Sequence, residues 1–457
     1  MSLRNLYEIS RRSFRVIDSR MNVAGQNVAN ANSAGYARRR VISSADSNST
    51  LGLQTRSMLN TPTGTGVSIS TYDRLRDQLL SAAANRTNGS MEYAGEEHRV
   101  LSTVESILDP GDSGINDLLS DFWNAWSDLA NNPTEAGMRA AVLSKANNLA
   151  GTLNGVSKQL DRYQEDLSLE LRSSVDKANS ILERLAQLNN VIARSENQNQ
   201  PNFAAADERD DLVRQLSSLV GVEVQSNHSD GFRIAIGGVF VVEGDHFTPL
   251  NLDESTLTIQ FGNTGTPFKP ETGGSIGAKL STINDSVNGA RARLDQIASA
   301  LVTEVNAIHA TGYGLNGVTG LDFFDPSATS AASIKVSAAI ANDVDSIAAS
   351  GYVDTPGDSS IAAAISELQH KGLIGSRTLG QEVTDMLAEV GSRVKAAEAD
   401  ASGHAAVLAN LDAMEAGVSA VSVEDEMTAI IELQQAYAAT ARVLQSAEEM
   451  MNTLLAL

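Results

Sequence analysis

The first candidate for chemistry is a glycine-rich hexapeptide. Residues 312–317 read GYGLNG, which fits the GxGxxG pattern of dinucleotide-binding loops. That loop binds a pyrophosphate only between a strand and a following helix, because the N-terminus of the helix meets the phosphates. Here a helical pattern precedes the glycines, and Asp325-Pro326 follows them. We therefore predict a structured turn and not a nucleotide site.

The second candidate is the set of histidines, which are His98, His228, His246, His309, His370 and His404. They are scattered, and no His-Glu-x-x-His pair is present. We predict surface or core-edge histidines and no metal or catalytic role. The chain has no cysteine, which excludes disulfides, thiolate catalysis and cysteine-based zinc sites.

Two further clusters have structural explanations. Asp207, Glu208, Asp210 and Asp211 stand near the start of a predicted helix, where carboxylates favour the positive end of the helix dipole. Binding of a divalent cation is the alternative. Trp123 and Trp126 are predicted to pack a short helix against a long one. With no catalytic constellation, metal site or cofactor motif, the sequence predicts a protein that is not an enzyme.

The elements around these residues are mainly helical. Apolar residues on a heptad spacing predict one helix of 55–65 residues that ends near Asn197. Further helices are predicted over 74–108, 114–130, 204–220, 280–308, 361–371, 379–414 and 423–455. Short strands are predicted over 222–225, 231–236, 239–243, 256–261 and 333–336.

This order predicts a mainly α fold with a β insertion, in which N- and C-terminal helices meet in a discontinuous coiled-coil bundle beside a smaller antiparallel β domain. Three domains are expected. The terminal coiled-coil domain, an inner tube, comprises 1–40 and 418–457. A long-helix bundle comprises 41–220 and 275–417, and a β-rich outer domain comprises 221–274, with part of 312–357 as an optional addition.

The two terminal helices carry apolar stripes and opposite charges. Residues 1–40 hold eight arginines against Glu8 and Asp18, about +6, whereas 401–457 hold eight acidic residues against Arg442, about −7. Opposite charges favour pairing of the two helices. We expect Arg11, Arg12, Arg15 and Arg20 to lie near Glu424, Asp425, Glu426, Glu432, Glu448 or Glu449, within one subunit or between neighbours.

Composition narrows the class of protein further. The net charge of −22 argues against binding of nucleic acid. No run of 18 apolar residues is present and the N-terminus does not resemble a secretory signal, so we predict neither membrane insertion nor a cleaved signal peptide.

Both ends of the chain resemble the flagellar axial proteins, the family of rod, hook and hook-associated proteins. Residues 25–41, GQNVANANSAGYARRRV, are similar to the Asn-rich box of that family, with matching positions at Asn27, Asn30, Asn32, Ser33, Gly35 and Tyr36. Ser33-Ala34 departs from the Thr-Pro of many relatives. Residues 423–455 are similar to the family's terminal helix, with its core at Gln434, Ala436 and Tyr437.

Two interior stretches, 207–244 and 301–325, resemble the family member that joins hook to filament. The resemblance implies a structural subunit that polymerises through its terminal helices. The implied assembly interface comprises Leu6, Ile17, Met21, Asn27, Asn30, Asn32, Gly35, Tyr36, Met427, Ile430, Gln434, Tyr437, Ala441, Leu444, Met451 and Leu455.

The resemblance also implies partners and a location. We expect a homo-oligomer with hook protein below and hook-associated protein 3 above, at the extracellular hook–filament junction. An export chaperone on the C-terminal helix and the flagellar type III export apparatus are implied in the cytoplasm. The alternatives are another axial protein (hook, distal rod or hook-associated protein 3) or, from a different class, a secreted hydrolase or adhesin on an axial-protein frame.

Overall fold

Helices form most of the computed structural model, which describes residues 3–33, 35–45, 66–109, 111, 114–198, 200–227, 231–262 and 265–455. In these residues the α-helices are α1 (Leu3–Ala29), α2 (Gln78–Leu108), α3 (Ile115–Asn131), α4 (Ala136–Asn197), α5 (Phe203–Leu219), α6 (Gly274–Thr282), α7 (Asn288–His309), α8 (Ala338–Asn342), α9 (Ser360–Ser366), α10 (Leu379–Ser419) and α11 (Val423–Leu455). A π-helical segment, Ile283–Val287, joins α6 to α7.

The strands form three antiparallel sheets. They are β1 (Arg39–Ala45), β2 (Val67–Arg74), β3 (Glu223–Asn227), β4 (Gly231–Ile236), β5 (Val239–Glu243), β6 (His246–Phe247), β7 (Leu250–Asp253), β8 (Thr258–Phe261) and β9 (Thr266–Pro267). The sheet orders are β1-β2, β3-β4-β5-β6 and β7-β8-β9. The first sheet lies next to α1, and the other two form the predicted insertion.

The long helix is present as α4, whose 62 residues span about 90 Å at 1.5 Å per residue. Its length falls inside the predicted range of 55–65 residues. The heptad pattern predicted this length correctly because buried residues recur, mostly every three or four positions, from one end of the helix to the other. The mainly α fold with a β insertion is thereby confirmed. Strands β1, β6, β7 and β9 were not predicted; the last three have only two to four residues, which is too few to show a pattern.

Two hydrophobic clusters divide the length of α4. The first half of α4, from Val142 to Leu167, packs with α2, α3, α7 and α10. The second half, from Leu171 to Ala186, packs with α5, α6 and the strands β4, β5, β7 and β8. The strands therefore share their core with three helices. The residue boundaries of the three domains given in the sequence analysis stay a prediction.

Residues 312–357 belong to the first cluster. Phe323 and Phe324 are fully buried against Phe122 and Trp126 of α3, with 5.2 Å between the ring centres of Trp126 and Phe323. The tryptophans therefore pack against this loop region as well as against the helices. The predicted strand at 333–336 is wrong: only Val336 makes an isolated bridge, to Phe324.

The glycine-rich hexapeptide is a folded turn directly after α7. Tyr313 bridges Thr319 and Ser350, and a Cβ on Gly314 would lie 2.5 Å from the carbonyl oxygen of Asp345. Only glycine fits at that position, for reasons of packing. A helix precedes this turn and no helix opens at its end, so the context that a dinucleotide loop requires is missing.

One stretch, Leu379–Thr453, is long and apolar enough to cross a membrane by length and composition. It covers α10 and α11, and almost none of its most apolar window is buried within the chain. Core helices of soluble proteins pass the same test, but those are mostly buried. An exposed apolar surface on the last two helices is therefore a feature of this fold.

Candidate assembly interface

The first and last helices pair with each other. The rings of Phe14 in α1 and Tyr437 in α11 meet edge to face, with centres 4.7 Å apart. Val16 and Ala24 of α1 are buried, as are Glu426 and Ala447 of α11. Pairing of the terminal helices, predicted from their charges and stripes, is present within a single chain.

The predicted interface residues differ in burial. Among apolar positions, Leu6, Ile17, Met21, Ile430, Ala441 and Leu444 are half-buried. Met427, Gln434, Tyr437 and Met451 are exposed, Asn27 is buried, Asn30 and Tyr36 are half-buried, and Asn32 and Gly35 are exposed. The side chain of Leu455 lies outside the described residues. The residues therefore form two surfaces, one within the pair and one facing solvent.

The face of α11 that meets α1 is rotated from the predicted stripe. Ile430, Ala441 and Leu444 of the stripe are half-buried, whereas Met427, Gln434 and Met451 are exposed. The other buried or half-buried positions of α11 are Glu426, Ala429, Leu433, Thr440 and Ala447. One residue turns a helix by about 100°, so an offset of one position turns part of the stripe outwards. Met427 is 46% exposed and Tyr437 is 47% exposed as a result.

Asn27 fastens the end of α1 to the strand that follows it. Its side-chain amide donates to the carbonyl oxygen of Arg39 at 2.9 Å, and its Oδ1 accepts from the Arg39 amide at 3.0 Å. The hydroxyl of Tyr36 donates to the same Oδ1 at 2.9 Å. The Asn27 side chain, 1% exposed, thus satisfies the backbone of β1 as a neighbouring strand would.

The turn between α1 and β1 uses the remaining residues of the Asn-rich box. Asn30 donates from Nδ2 to the carbonyl oxygen of Gln26 at 2.9 Å. Gly35 has φ +76°, in the left-handed region that favours glycine. The guanidinium of Arg39 stacks 4.7 Å from the ring centre of Tyr36, and burial raises the pKa of the Tyr36 hydroxyl. The box is therefore an intramolecular clamp.

A second connection joins the two ends of the chain. Arg38 Nε lies 2.6 Å from Oε1 of Glu426, and the Arg38 amide donates to the carbonyl oxygen of Ser419 at 2.9 Å. Ser422 caps the start of α11, since its Oγ accepts from the Asp425 amide at 3.3 Å. Arg20, one of the arginines expected beside an acidic residue, donates to Oγ of Ser43 at 2.8 Å and lines one groove together with Glu426 and Glu432.

The acidic cluster has a different role from the one predicted. Helix α5 begins at Phe203, so Asp207 lies in its second turn and the dipole explanation is wrong. Asp207 Oδ2 lies 3.0 Å from Arg39 Nη2, and Asp207 Oδ1 lies 2.9 Å from Arg74 Nη1. Burial raises the pKa of the Asp207 carboxyl, an effect that the two arginines oppose.

The ion pairs continue from α5 to α10. Asp210 pairs with Arg74 and with Arg76, whose Nη1 lies 2.8 Å from the carboxylate. The other terminal nitrogen of Arg76, Nη2, lies 3.2 Å from Glu415. Arg214 Nη2 lies 2.6 Å from Asp412. This network joins the first sheet to α5 and to the end of α10. Sequence reasoning missed it because its members are far apart in the chain; the only signal was the repetition of Arg beside Asp.

Among the histidines that the structure describes, His309 departs from the predicted surface or core-edge position, and His228 lies outside the described residues. His309 is almost fully buried, its Nε2 accepts from the Ala348 amide at 2.8 Å, and its Nδ1 therefore donates to the carbonyl oxygen of Leu321 at 2.7 Å. Burial lowers its pKa to about 4. Both ring nitrogens are used, so His309 holds the glycine-rich turn in place. No group of three or more metal-ligating side chains occurs within the described ranges.

Comparison with known proteins agrees with this arrangement. The family model for the "Flagellar hook-associated protein FlgK helical domain" matches residues 101–324, and that for the "Flagellar basal body rod FlgEFG protein C-terminal" matches residues 417–457. The first region covers α3, α4 and the β insertion, and the second covers α11. Paired terminal helices together with a long helical bundle, and matches to both models, are typical of structural proteins of the flagellar axial class.

Individual relatives point to one member of that class. Flagellar hook-associated protein 1 of Bacillus subtilis is 28% identical across 98% of this chain and 97% of its own length. The Escherichia coli protein of the same name is 27% identical, with 66% of this chain and 57% of its own length aligned. The chain is therefore similar to flagellar hook-associated protein 1 along nearly its whole length, and that family is structural and not enzymatic.

A solved structure is also similar. It is described as the structure of the flagellar hook junction protein FlgK from Burkholderia pseudomallei. It aligns with a TM-score of 0.48 at 24% identity, over 53% of this chain and 46% of that one.

Proposed function

We propose that this chain is a structural subunit of the bacterial flagellum that forms the junction between hook and filament and polymerises through its terminal helices. Similarity to flagellar hook-associated protein 1 supports the junction role. The observation that carries polymerisation is the exposed apolar surface of α11, where Met427 is 46% exposed and Ile431 is 52% exposed.

The physical argument rests on the small core of the terminal pair. Helix α11 has 33 residues, yet among those described only Glu426 and Ala447 are buried. Isolated helices gain stability mainly from packing of an apolar face. A surface of this kind is typical of proteins that complete their burial in an assembly. The predicted interface residues Met427, Gln434, Tyr437 and Met451 would then contact other subunits.

The partners follow from this role. We infer a homo-oligomer with hook protein on one side and hook-associated protein 3 on the other, outside the cell. Before assembly the exposed stripe of α11 needs protection, which supports a cytoplasmic chaperone on that helix and delivery through the type III export apparatus without a cleaved signal. No role in nucleic-acid binding or membrane insertion is proposed, because subunit packing accounts for the apolar stretch at 379–453.

Deletion of the gene tests the junction role. Hooks without filaments, with flagellin lost to the medium, are the expected phenotype. Normal filaments, or loss of the hook itself, would contradict the junction role and favour another axial protein.

Met427→Asp tests polymerisation through α11. A charge on this exposed residue should leave the fold of the monomer intact but place an uncompensated carboxylate in an apolar contact. Exported protein should be present in the medium while filaments are absent. The matched control is Leu169→Asp, which alters a residue of α4 that is 66% exposed and should support swimming. Swimming of the Met427 variant would contradict the proposal.

A further inference from the structure

A cavity of about 470 Å³ lies between α2, α5 and the hairpin of β3 and β4. Four arginines line it: Arg74 and Arg76 from the end of β2, Arg86 from α2 and Arg209 from α5. Among the described lining residues Asp210 is the single carboxylate. The cavity therefore has a surplus of positive charge, in a chain whose net charge is −22.

Two of the four arginines are paired with carboxylates: Arg74 with Asp207 and Asp210, and Arg76 with Asp210 and Glu415. Arg209 is less closely paired, since its Nε lies 3.7 Å from Oδ1 of Asp210. The guanidinium of Arg209 lies 3.9 Å from the ring centre of Phe232, and its Nε is buried with no hydrogen-bond partner. Burial lowers the pKa of Arg209. A buried charge without a full partner is costly, so an additional carboxylate here would be stabilising.

Arg86 adds a charge at the solvent side of the cavity. It is exposed, and within the part of the chain that the structure describes it makes no ion pair. Leu79, also in the lining, is 83% exposed. An arginine cluster beside an exposed leucine offers both charge pairing and apolar contact. That combination is typical of a protein interface, whereas a small free anion would leave the leucine in water.

The position of the cavity indicates which protein would fill it. Arg76 connects the cavity to Glu415 near the end of α10, a few residues before α11 begins. This ion pair links the lining of the cavity to the end of α10, the helix that precedes α11. The acidic surface of a second copy is complementary in charge to this cluster.

We propose that this cavity is a socket for carboxylate side chains of a second copy of the chain, with Arg86 and Arg209 as the receiving cations. The inference rests on the proposed function, since it needs an assembly in which copies are neighbours. It adds a charged contact outside the terminal helices. That contact would set the register between copies, because guanidinium groups bind carboxylates with a fixed geometry.

The test is site-specific photo-crosslinking in assembled flagella. A photoreactive amino acid replaces Leu79, and cross-linked peptides are identified by mass spectrometry. We expect cross-links to a peptide of a second copy that carries aspartate or glutamate. Arg86→Glu should reduce the yield about tenfold, as expected for the loss of one ion pair. Arg86→Met, which removes the charge without reversing it, should reduce the yield less.

Two controls separate charge from folding. Arg162→Glu changes an exposed arginine of α4 outside the cavity lining and should leave the yield unchanged. The same photoreactive residue at Leu169 should not reach the same peptide. The melting temperature of each purified variant should equal that of the wild type, because Arg86 is exposed and has no ion pair to lose.

Several results would overturn the socket. They are the absence of cross-links to a second copy, cross-links to a peptide without acidic residues, cross-links only to hook or filament proteins, and a yield indifferent to both Arg86 variants. Stabilisation of the isolated chain by inorganic phosphate, without cross-links, would indicate a small-anion site instead. Because the deletion phenotype is scored separately, hooks without filaments combined with any of these results would refute the socket alone.

Discussion

The bundle around α4 and the terminal pair of α1 and α11 bury their apolar residues to very different degrees. In the bundle, Phe122, Trp126 and Leu149 are fully buried in one continuous cluster. In α11, Met427, Ile431 and Tyr437 remain about half exposed, although the helix is long and regular. The bundle can therefore fold on the burial that it achieves alone. The terminal pair leaves an apolar surface exposed, which the proposed assembly would cover.

The largest expected effect separates buried from exposed positions on one helix. Leu149→Ala removes a fully buried side chain from the bundle and should lower the free energy of unfolding by about 2–5 kcal/mol. Leu169→Ala, at an exposed position of the same helix, should change it by less than about 0.5 kcal/mol. Denaturant unfolding of the purified chain measures both. Equal effects would mean that burial along α4 does not determine stability.

A pH-dependent effect is expected in the bundle and not in the terminal pair. The pKa of His309 is lowered to about 4, below the value of about 6.5 in an unfolded chain, so the unfolded state binds the proton more tightly. Stability is therefore fully present above about pH 6.5 and falls as the pH decreases towards 4, by about 3 kcal/mol in all. Thermal melts at a series of pH values measure this loss.

The control for that pH dependence is the exposed histidine of β6. His246→Gln should retain the decrease in stability between about pH 6.5 and 4, because His246 is largely exposed to solvent. His309→Gln should be less stable at neutral pH but should lose most of the decrease. A decrease that survives the His309 change would have to come from other groups.

A smaller effect tests the clamp between the terminal pair and the first sheet. Asn27→Ala leaves the amide and carbonyl of Arg39 without their partner, and such loss of buried hydrogen bonds costs about 1–3 kcal/mol. Hydrogen exchange at the Arg39 amide should accelerate. Asn32→Ala, at an exposed position of the same box, should leave this exchange unchanged. If both variants exchange alike, the buried clamp is not what holds β1 to α1.

Substitutions in α11 should have the smallest effect on the stability of the monomer and the largest effect on filament growth. Leu444→Ala removes a half-buried side chain and should lower the stability of the monomer by about 1 kcal/mol or less. Tyr437→Ala should behave similarly, and neither variant should support filament growth. Thr440→Ala should be nearly silent, since its hydroxyl bonds only its own helix at Ala436. Melts of the monomer beside swimming assays compare the three, and a large loss of melting temperature for Leu444→Ala would place α11 in the monomer's core.

Local patterns predicted much of the fold. The heptad spacing predicted α4, the predicted helices 379–414 and 423–455 bracket the break before α11, and runs of β-branched and aromatic residues predicted β4 and β5 with their observed bounds. The Asn-rich box predicted the turn after α1, because asparagine and glycine have the backbone conformations and hydrogen-bonding groups that such a turn needs. These features depend on residues close together in the chain.

The sequence by itself therefore determined the helical class, the positions of the long helices, the β insertion and the resemblance to flagellar axial proteins. Only the tertiary structure decided which face of α11 meets α1, how Asp207 and Asp210 join Arg39, Arg74 and Arg76, and why His309 is buried. The physical reason is that helical periodicity depends on neighbours three and four residues apart. Rotation of one helix against another and pairing of distant charges depend on packing between segments that are hundreds of residues apart in the chain.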